Sequence, residues 1–306
     1  MIYQKKALTI DEQADQLLSR GLVCDRIDLV SILKQVSYYR LSGYWFPFRN
    51  YPNEEFRQNT TLKEIWSRYC FDRKLRLLVL DGIEKIEIAL RTDITYKLSH
   101  QTGAFGYAEP STFPMLNEPE FLKLQEEIKK EYSRSKEKFV SHFQHKYGGE
   151  HDTLPLWMAT ELISFGTLFT MYRGIATSTS KSIAKKYNLP EPVLLSWIGS
   201  LNSVRNICAH HSRLWNREFG YKPMLPRNDF GWKQPVEIQP NKIFVILSII
   251  QYMLNFISPT SQWKFRFLEL LTLYPTIPIR EMGFPERWKE VPFWNLTKTQ
   301  SRNYRK

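Results

Sequence analysis

The chain has 306 residues, 42% of them hydrophobic and 14% aromatic, with a formal net charge of +12 and a pI near 9.5. A chain this long and apolar buries a large core, which excludes a disordered tail and a small cystine-stapled module. Its three cysteines, Cys24, Cys70 and Cys208, are far apart with no paired spacing, so neither a disulfide framework nor a zinc knuckle is expected and a reducing cytoplasm is the predicted setting.

The hydrophobic periodicity is helical nearly throughout, so the predicted class is all-α. The start, MIYQKKALTIDEQ, lacks the apolar core of a signal peptide. Thr9-x-x-Glu12 is a capping box opening a short helix that Gly21 ends, and Arg26 to Arg40 reads as a second helix. Thr61-x-x-Glu64 opens the longest one, whose apolar positions (Leu62, Ile65, Tyr69, Leu75, Leu78, Ile83, Ile86, Leu90, Ile94) keep step to about His100. Gly103, Gly106, Pro110 and Pro114 break it. A charged helix is predicted from Glu118 to Lys146, closed by Gly148-Gly149; Pro155 opens another that Gly174 closes. Ser180 to Tyr187 and Pro192 to Phe219 follow, then a proline-rich loop and helices at Asn241 to Ile257 and Gln262 to Leu273. The apolar run Ile243 to Ile257 is too short to span a bilayer and reads as a buried helix. The last thirty or so residues read as irregular but aromatic enough to pack down. The expected organisation is an N-terminal helical region (1–60), a helical core (61–220) and a C-terminal helical extension (221–306), or one continuous domain.

The basic excess predicts a polyanionic partner, RNA or DNA before a membrane, because no basic amphipathic helix with an exposed apolar face stands out. Several features compete for that role. Tyr38, Tyr39, Tyr44, Trp45, Phe46 and Phe48, interleaved with Arg40 and Arg49, have the composition of a stacking platform with cationic clamps, although so dense a cluster is also what a core uses. The Lys123 to Lys146 run reads as a solvated helix, with RNA backbone contact as the alternative. Asp81, Glu84, Glu87 and Arg91 suggest an acidic site, but Glu87 to Arg91 is a favourable i to i+4 pair and a structural role is preferred. His142, His145, His151 and Asp152 have partial metal-ligand spacing, yet the glycine break and missing second ligand pair argue against a metal. Glu161 sits between Trp157 and Phe165, where a lone charge is costly, so an arginine partner from the site helix is expected.

The densest chemistry is VRNICAHHSRLWNR, Val204 to Arg217, which holds two of the six histidines among arginines. Read as part of one helix, it places Trp197, Leu201, Val204, Cys208, His211 and Trp215 on an apolar stripe. Gly199, Ser203, Asn206, His210, Arg213 and Arg217 fall on the opposite, polar to cationic face. His211 is therefore expected in the core as an orienting residue and His210 toward substrate, with Asn206 at i−4 holding its imidazole. Arg213 and Arg217 suit phosphates, and Arg205 lies between the faces.

Arg205-Asn206-Ile207-Cys208-Ala209-His210 resembles the Arg-polar-x3-His signature of HEPN ribonucleases. Continued through Arg217, the string resembles the Abi-like abortive-infection family of bacteria, of the AbiD and AbiF type. The resemblance extends to Ser37–Arg49 (SYYRLSGYWFPFR), Phe71–Tyr96 and Pro155–Tyr172, in the same order along the chain. It implies a HEPN-like helical bundle with additional N- and C-terminal helices, acting in phage defence. It also implies that Arg205 and His210 carry metal-independent RNA cleavage, with Asn206 and His211 in support and no cofactor.

The residue chemistry is compatible with that expectation. RNA supplies its own 2′-hydroxyl nucleophile, histidine an acid or base near neutral pH, and arginine a cation for the phosphorane charge. On one helix Arg205 and His210 lie about 140° and 7.5 Å apart, so two copies facing across a two-fold axis are expected to form a composite site in a homodimer. RNA is the expected partner, as substrate and as a bound regulatory RNA. The competing expectation is a non-catalytic RNA-binding, antitoxin-like or sensor module using the same basic helix.

Overall fold

The computed structural model of the protein describes residue 4, residues 6–226 and residues 231–295. Among these the chain forms twelve α-helices, several short 3₁₀ turns and no strand, only two isolated bridge pairs. The class is all-α, and among the described residues no helix is long and apolar enough to cross a membrane. Two compact units are built, one from residues 1–76 and 267–277, the other from residues 77–266 and 278–306.

In the first unit, α1 (Ile10–Ser19) opens on the predicted capping box: the Glu12 N–H donates to Thr9 Oγ1 at 3.2 Å, and Glu12 Oε2 accepts from the Thr9 N–H at 2.7 Å. The helix expected from Arg26 to Arg40 is two helices, α2 (Arg26–Gln35) and α3 (Tyr38–Trp45). They separate at extended Val36, and the Ser37 hydroxyl accepts from the Arg40 N–H to start the second. Helix α4 (Leu62–Thr102) begins at the Thr61/Glu64 box and runs 41 residues, its first part in this unit and the rest in the second. Against α3 it carries a buried charge network. Tyr44 Oη donates to Asp72 Oδ2 at 2.6 Å, the Arg76 guanidinium donates to the same carboxylate, and neither charged side chain reaches solvent appreciably.

The aromatic cluster of this unit is split. Tyr44 and Trp45 are core residues, whereas Tyr39 and Phe46 are 88% and 71% exposed. Arg40 is exposed, and Arg49 is partly covered and ion-paired with Glu54 at 3.1 Å.

The second unit continues along α4 and adds α5 (Glu118–Arg134), α6 (Lys138–Tyr147), α7 (Leu156–Leu162), α8 (Phe165–Gly174), α9 (Thr177–Lys186), α10 (Glu191–Ala209), α11 (Ile243–Ile257) and the first four residues of α12 (Trp263–Leu273), whose remainder belongs to the first unit. The single charged helix expected up to Lys146 breaks before Lys138, and the helix opened by Pro155 breaks at extended Ile163, where Ser164 caps α8. Helix α11 buries eleven of its fifteen residues, as its largely apolar pattern requires. Gly82 on α4 lets α11 and α12 come close: a Cβ there would meet Ile250 at 2.5 Å and Trp263 at 2.8 Å. The aromatic C-terminal segment packs down as far as it is described, with Trp288 and Trp294 around Phe244 and the Trp294 indole donating to Ser248 Oγ at 2.9 Å. Residues 296–306 of the predicted irregular tail lie outside the described residues.

Burial pushes the phenols of Tyr44, Tyr172 and Tyr187 well above their ordinary range, with Asp72, Glu191 and Asp93 adding to the shift in turn. A raised folded value means these phenols stabilise the fold below the unfolded pKa near 10 and lose that contribution as pH climbs through the folded value. Denaturant titrations are therefore expected to show stability falling between about pH 10 and pH 12. Tyrosinate absorbance should lag behind a free-tyrosine titration until the chain unfolds. Stability that holds flat through that window would refute the assignment.

Candidate functional site

Helix α10 begins under Pro190, with Pro192 in its first turn, and buries Trp197, Leu201, Val204 and Cys208 as the stripe predicts. Its N-terminal half is covered by the chain that follows the site. The Trp197 indole donates to the Met224 carbonyl at 2.8 Å, and the Met224 N–H donates to Ser196 Oγ at 2.6 Å. Tyr221 lies so near Gly199 that a Cβ there would come within 2.7 Å of its hydroxyl. Gly199, placed on the polar face by periodicity, is thus buried under that loop.

The helix ends earlier than its pattern suggests. Ala209 is the last helical residue, His210 is the cap, and His211 turns left-handed at φ 57°. The Ser212 N–H donates to the Ile207 carbonyl at 2.9 Å and the His211 N–H to the Cys208 carbonyl at 3.0 Å, the paired bonds of a Schellman end. This overturns the expected facing of His211. It does not continue the buried stripe; like His210, it is exposed on the terminal turn. Leu214 and Trp215 then re-enter the core, each fully buried, so the apolar rhythm continues past the end of the helix.

Most residues favour the right-handed side, and a non-glycine in the left-handed region costs about 1 kcal/mol. His211→Gly is accordingly expected to leave stability unchanged or raise it by up to about 1 kcal/mol, and His211→Ala to open no cavity. Thermal melts check this. A loss above about 2 kcal/mol in either variant would restore the buried placement.

The polar residues gather around this end. Arg205 is half-buried and donates to Asn206 Oδ1 at 3.3 Å. Asn206 is tied to His210 through the backbone, its carbonyl accepting the His210 N–H at 2.9 Å, while its side chain serves Arg205 and not the imidazole. Arg213 and Arg217 follow on the loop, partly covered and exposed respectively. The Asn216 amide reaches Glu281 at 3.5 Å. Arg40 and Arg49 belong to the first unit and Arg205 to Arg217 to the second.

Arg205 lines a cleft of about 410 Å³ together with Leu77, Leu80, Asp81, Ile83, Glu84 and Glu87 of α4. The acidic ladder is largely committed: Glu87 pairs with Arg91 at 2.7 Å, as its spacing predicts, and Asp81 pairs with Arg266 and Lys85. Glu84 is exposed and outside these pairs. The cleft therefore sets a cation against carboxylates, so Arg205 screens a negative wall from any incoming phosphate. The sequence marked Asp81, Glu84 and Glu87 on this face of α4, but not that Arg205 from α10 lies opposite them.

Arg91 does more than pair with Glu87. Its guanidinium donates to the carbonyls of Thr160 and Ile163 (3.2 Å for the latter), fixing the last turn of α7 against α4. Glu161 is exposed there, and no ion pair joins it to Arg205, Arg213 or Arg217 among the described residues. The expected pairing with the site helix is therefore not formed. Solvent removes the burial cost that called for it. Among the described residues no group of three His, Cys, Asp or Glu side chains is placed to hold a metal ion. His151 stacks on Phe105 with ring centres 4.3 Å apart.

Comparison with known proteins gives one match. The family model described as Abi-like protein matches residues 31–216, a span that includes α4, α7, α8, α10 and the turn bearing His210 and His211. No curated protein and no solved structure matches the chain.

Proposed function

The chain belongs to the Abi-like protein family, and on that footing we propose that it is a bacterial phage-defence protein whose activity is metal-independent cleavage of RNA. The observation that carries this reading is the exposure of His210 and His211 on one turn at the end of α10, one turn beyond Arg205. In this reading the His210 imidazole accepts the proton of a 2′-hydroxyl as O2′ bonds to phosphorus. The bond from phosphorus to the 5′-oxygen breaks, and that oxygen takes a proton from solvent. Arg205 faces the charge gathering on the phosphorane. Arg213 and Arg217 hold flanking phosphates. The products are a 2′,3′-cyclic phosphate and a 5′-hydroxyl.

The homodimer enters because one α10 end offers one Arg205–His210 pair, with the arginine turned toward the carboxylates of α4. In the competing reading the basic end grips RNA without cutting it. That reading is favoured by the Arg205–Asn206 hydrogen bond, which holds the arginine as a fixed contact.

Incubating the protein with single-stranded RNA in excess EDTA decides between them. Cleavage with cyclic-phosphate ends is the expected result. Cleavage only on adding divalent metal, or binding with no cleavage, would overturn the nuclease reading.

A further inference from the structure

Past the Arg205 cleft, the exposed face of α4 continues into a second cleft of about 330 Å³, lined by Tyr96, Ser99 and His100 of α4 and by Trp157 and Glu161 of α7. Its aromatic walls are uncovered: Trp157 is 50% exposed and Tyr96 59%. Leaving an indole half in water wastes apolar area that burial would otherwise reward, and on a concave surface such exposure marks a place where something stacks. Tyr96 is held in position, with the His100 ring 4.2 Å away and His100 Nδ1 2.9 Å from the Tyr96 carbonyl. Trp157 and Glu161 are spaced i to i+4 on a helix whose end Arg91 clamps, so both project from the same face. The Ser99 hydroxyl and Arg91 Nε at this cleft are buried and have no hydrogen-bond partner among the described residues.

On the other side of Tyr96 lies a third cleft, of about 320 Å³, lined by Lys97 of α4 and Lys185 and Lys186 of α9. Lys186 is committed to Asp93 at 2.7 Å, while Lys97 and Lys185 form no ion pair among the described residues. One exposed tyrosine thus stands between an aromatic cleft with a carboxylate and a cleft with two uncommitted ammonium groups.

We propose that these two clefts bind one unpaired nucleotide of single-stranded RNA, its base against Trp157 and Tyr96 and its phosphates at Lys97 and Lys185, and that the base is guanine. Flat aromatic surfaces next to a cationic groove are the physical requirement for single-strand binding. Glu161 selects the base: guanine alone presents two adjacent N–H donors, N1–H and the exocyclic amine, to which one carboxylate can bind with both oxygens. The inference rests on the RNA reading given above and deepens it. Both clefts and the Arg205 cleft are strung along α4, and their middles are separated by roughly thirteen residues, about 20 Å of helix. The guanine therefore lies a few nucleotides from the scissile phosphate.

Fluorescence anisotropy of a labelled uridine-rich oligonucleotide carrying a single guanine tests this independently of cleavage when done with His210→Ala protein. Trp157→Ala and Tyr96→Ala are expected to weaken binding about five- to 100-fold each, with Trp157→Phe retaining most of the affinity. Lys97→Glu with Lys185→Glu should flatten the dependence of log affinity on log salt by about two phosphate contacts. Glu161→Gln should abolish the preference for guanine over adenine in the same oligonucleotide. RNA bound equally well by all the variants would overturn the proposal while leaving the nuclease reading intact. Failure of the parent protein to bind RNA at all would overturn both.

Discussion

Replacing His210 with alanine is expected to lower the single-turnover rate of RNA cleavage by at least about 10²-fold while leaving RNA affinity within about threefold. The separation follows from what the residue does in the proposed mechanism. An imidazole that moves a proton in the transition state contributes on the order of 10² to 10⁴ in rate, whereas its ground-state contact with a polyanion is minor beside the arginines. His210 is exposed, so its removal leaves no cavity and folding is unaffected. Arg205→Ala should behave differently. It removes transition-state charge stabilisation and also uncovers the wall formed by Glu84 and Glu87, so affinity falls together with rate. If His210→Ala weakens binding and spares cleavage, the histidine is a contact and the RNA-gripping alternative replaces the catalytic one.

The largest expected effect on stability comes from the first unit. Asp72→Leu removes the carboxylate beside the Arg76 guanidinium, where that side chain is about 5% exposed, and with it the acceptor of the Tyr44 hydroxyl. Removing one partner of a buried ion pair costs about 3–5 kcal/mol, a large share of the roughly 5–15 kcal/mol that separates folded from unfolded chains. Apolar replacement of both partners, Asp72→Leu with Arg76→Met, is expected to recover most of the loss because the desolvated charge is gone. Denaturant melts of the three proteins check both statements. A single-variant loss below about 1 kcal/mol would mean that water reaches the network.

Much of the architecture was legible in the residues. Thr9/Glu12 and Thr61/Glu64 each form the side-chain to backbone bonds their spacing advertises, and the stripe positions read along α4 (Leu62, Ile65, Leu75, Leu78, Ile83, Ile86, Leu90 and Ile94) are core residues, with Tyr69 partly covered. Helix ends without glycine or proline were harder to read. The breaks before Tyr38 and Phe165 are made by serine caps that sit among residues with continuous helical rhythm. The end of α10 is the instructive case. A left-handed histidine does what a glycine usually does, and Trp215 returns to the core at a position the helical rhythm would also have given it. Periodicity alone therefore carried the helix ten residues too far and buried His211. The pairing of Trp157 with Glu161 is hidden in the sequence for a related reason. With Phe165 read as their neighbour on one helix, the carboxylate looked buried; the break at Ile163 sends Phe165 into the core and leaves Trp157 and Glu161 facing solvent.

The proposed composite site is tested most directly by heterodimers. An Arg205→Ala subunit and a His210→Ala subunit, each with its own affinity tag, are co-expressed and the mixed species is isolated through both tags. If each active centre draws its arginine from one chain and its histidine from the other, one centre of every heterodimer is intact, and about half of wild-type cleavage returns while either variant alone stays inactive. Isolated heterodimers as inactive as their parents, or wild-type protein that sediments as a monomer while still cleaving RNA, would contradict the composite site.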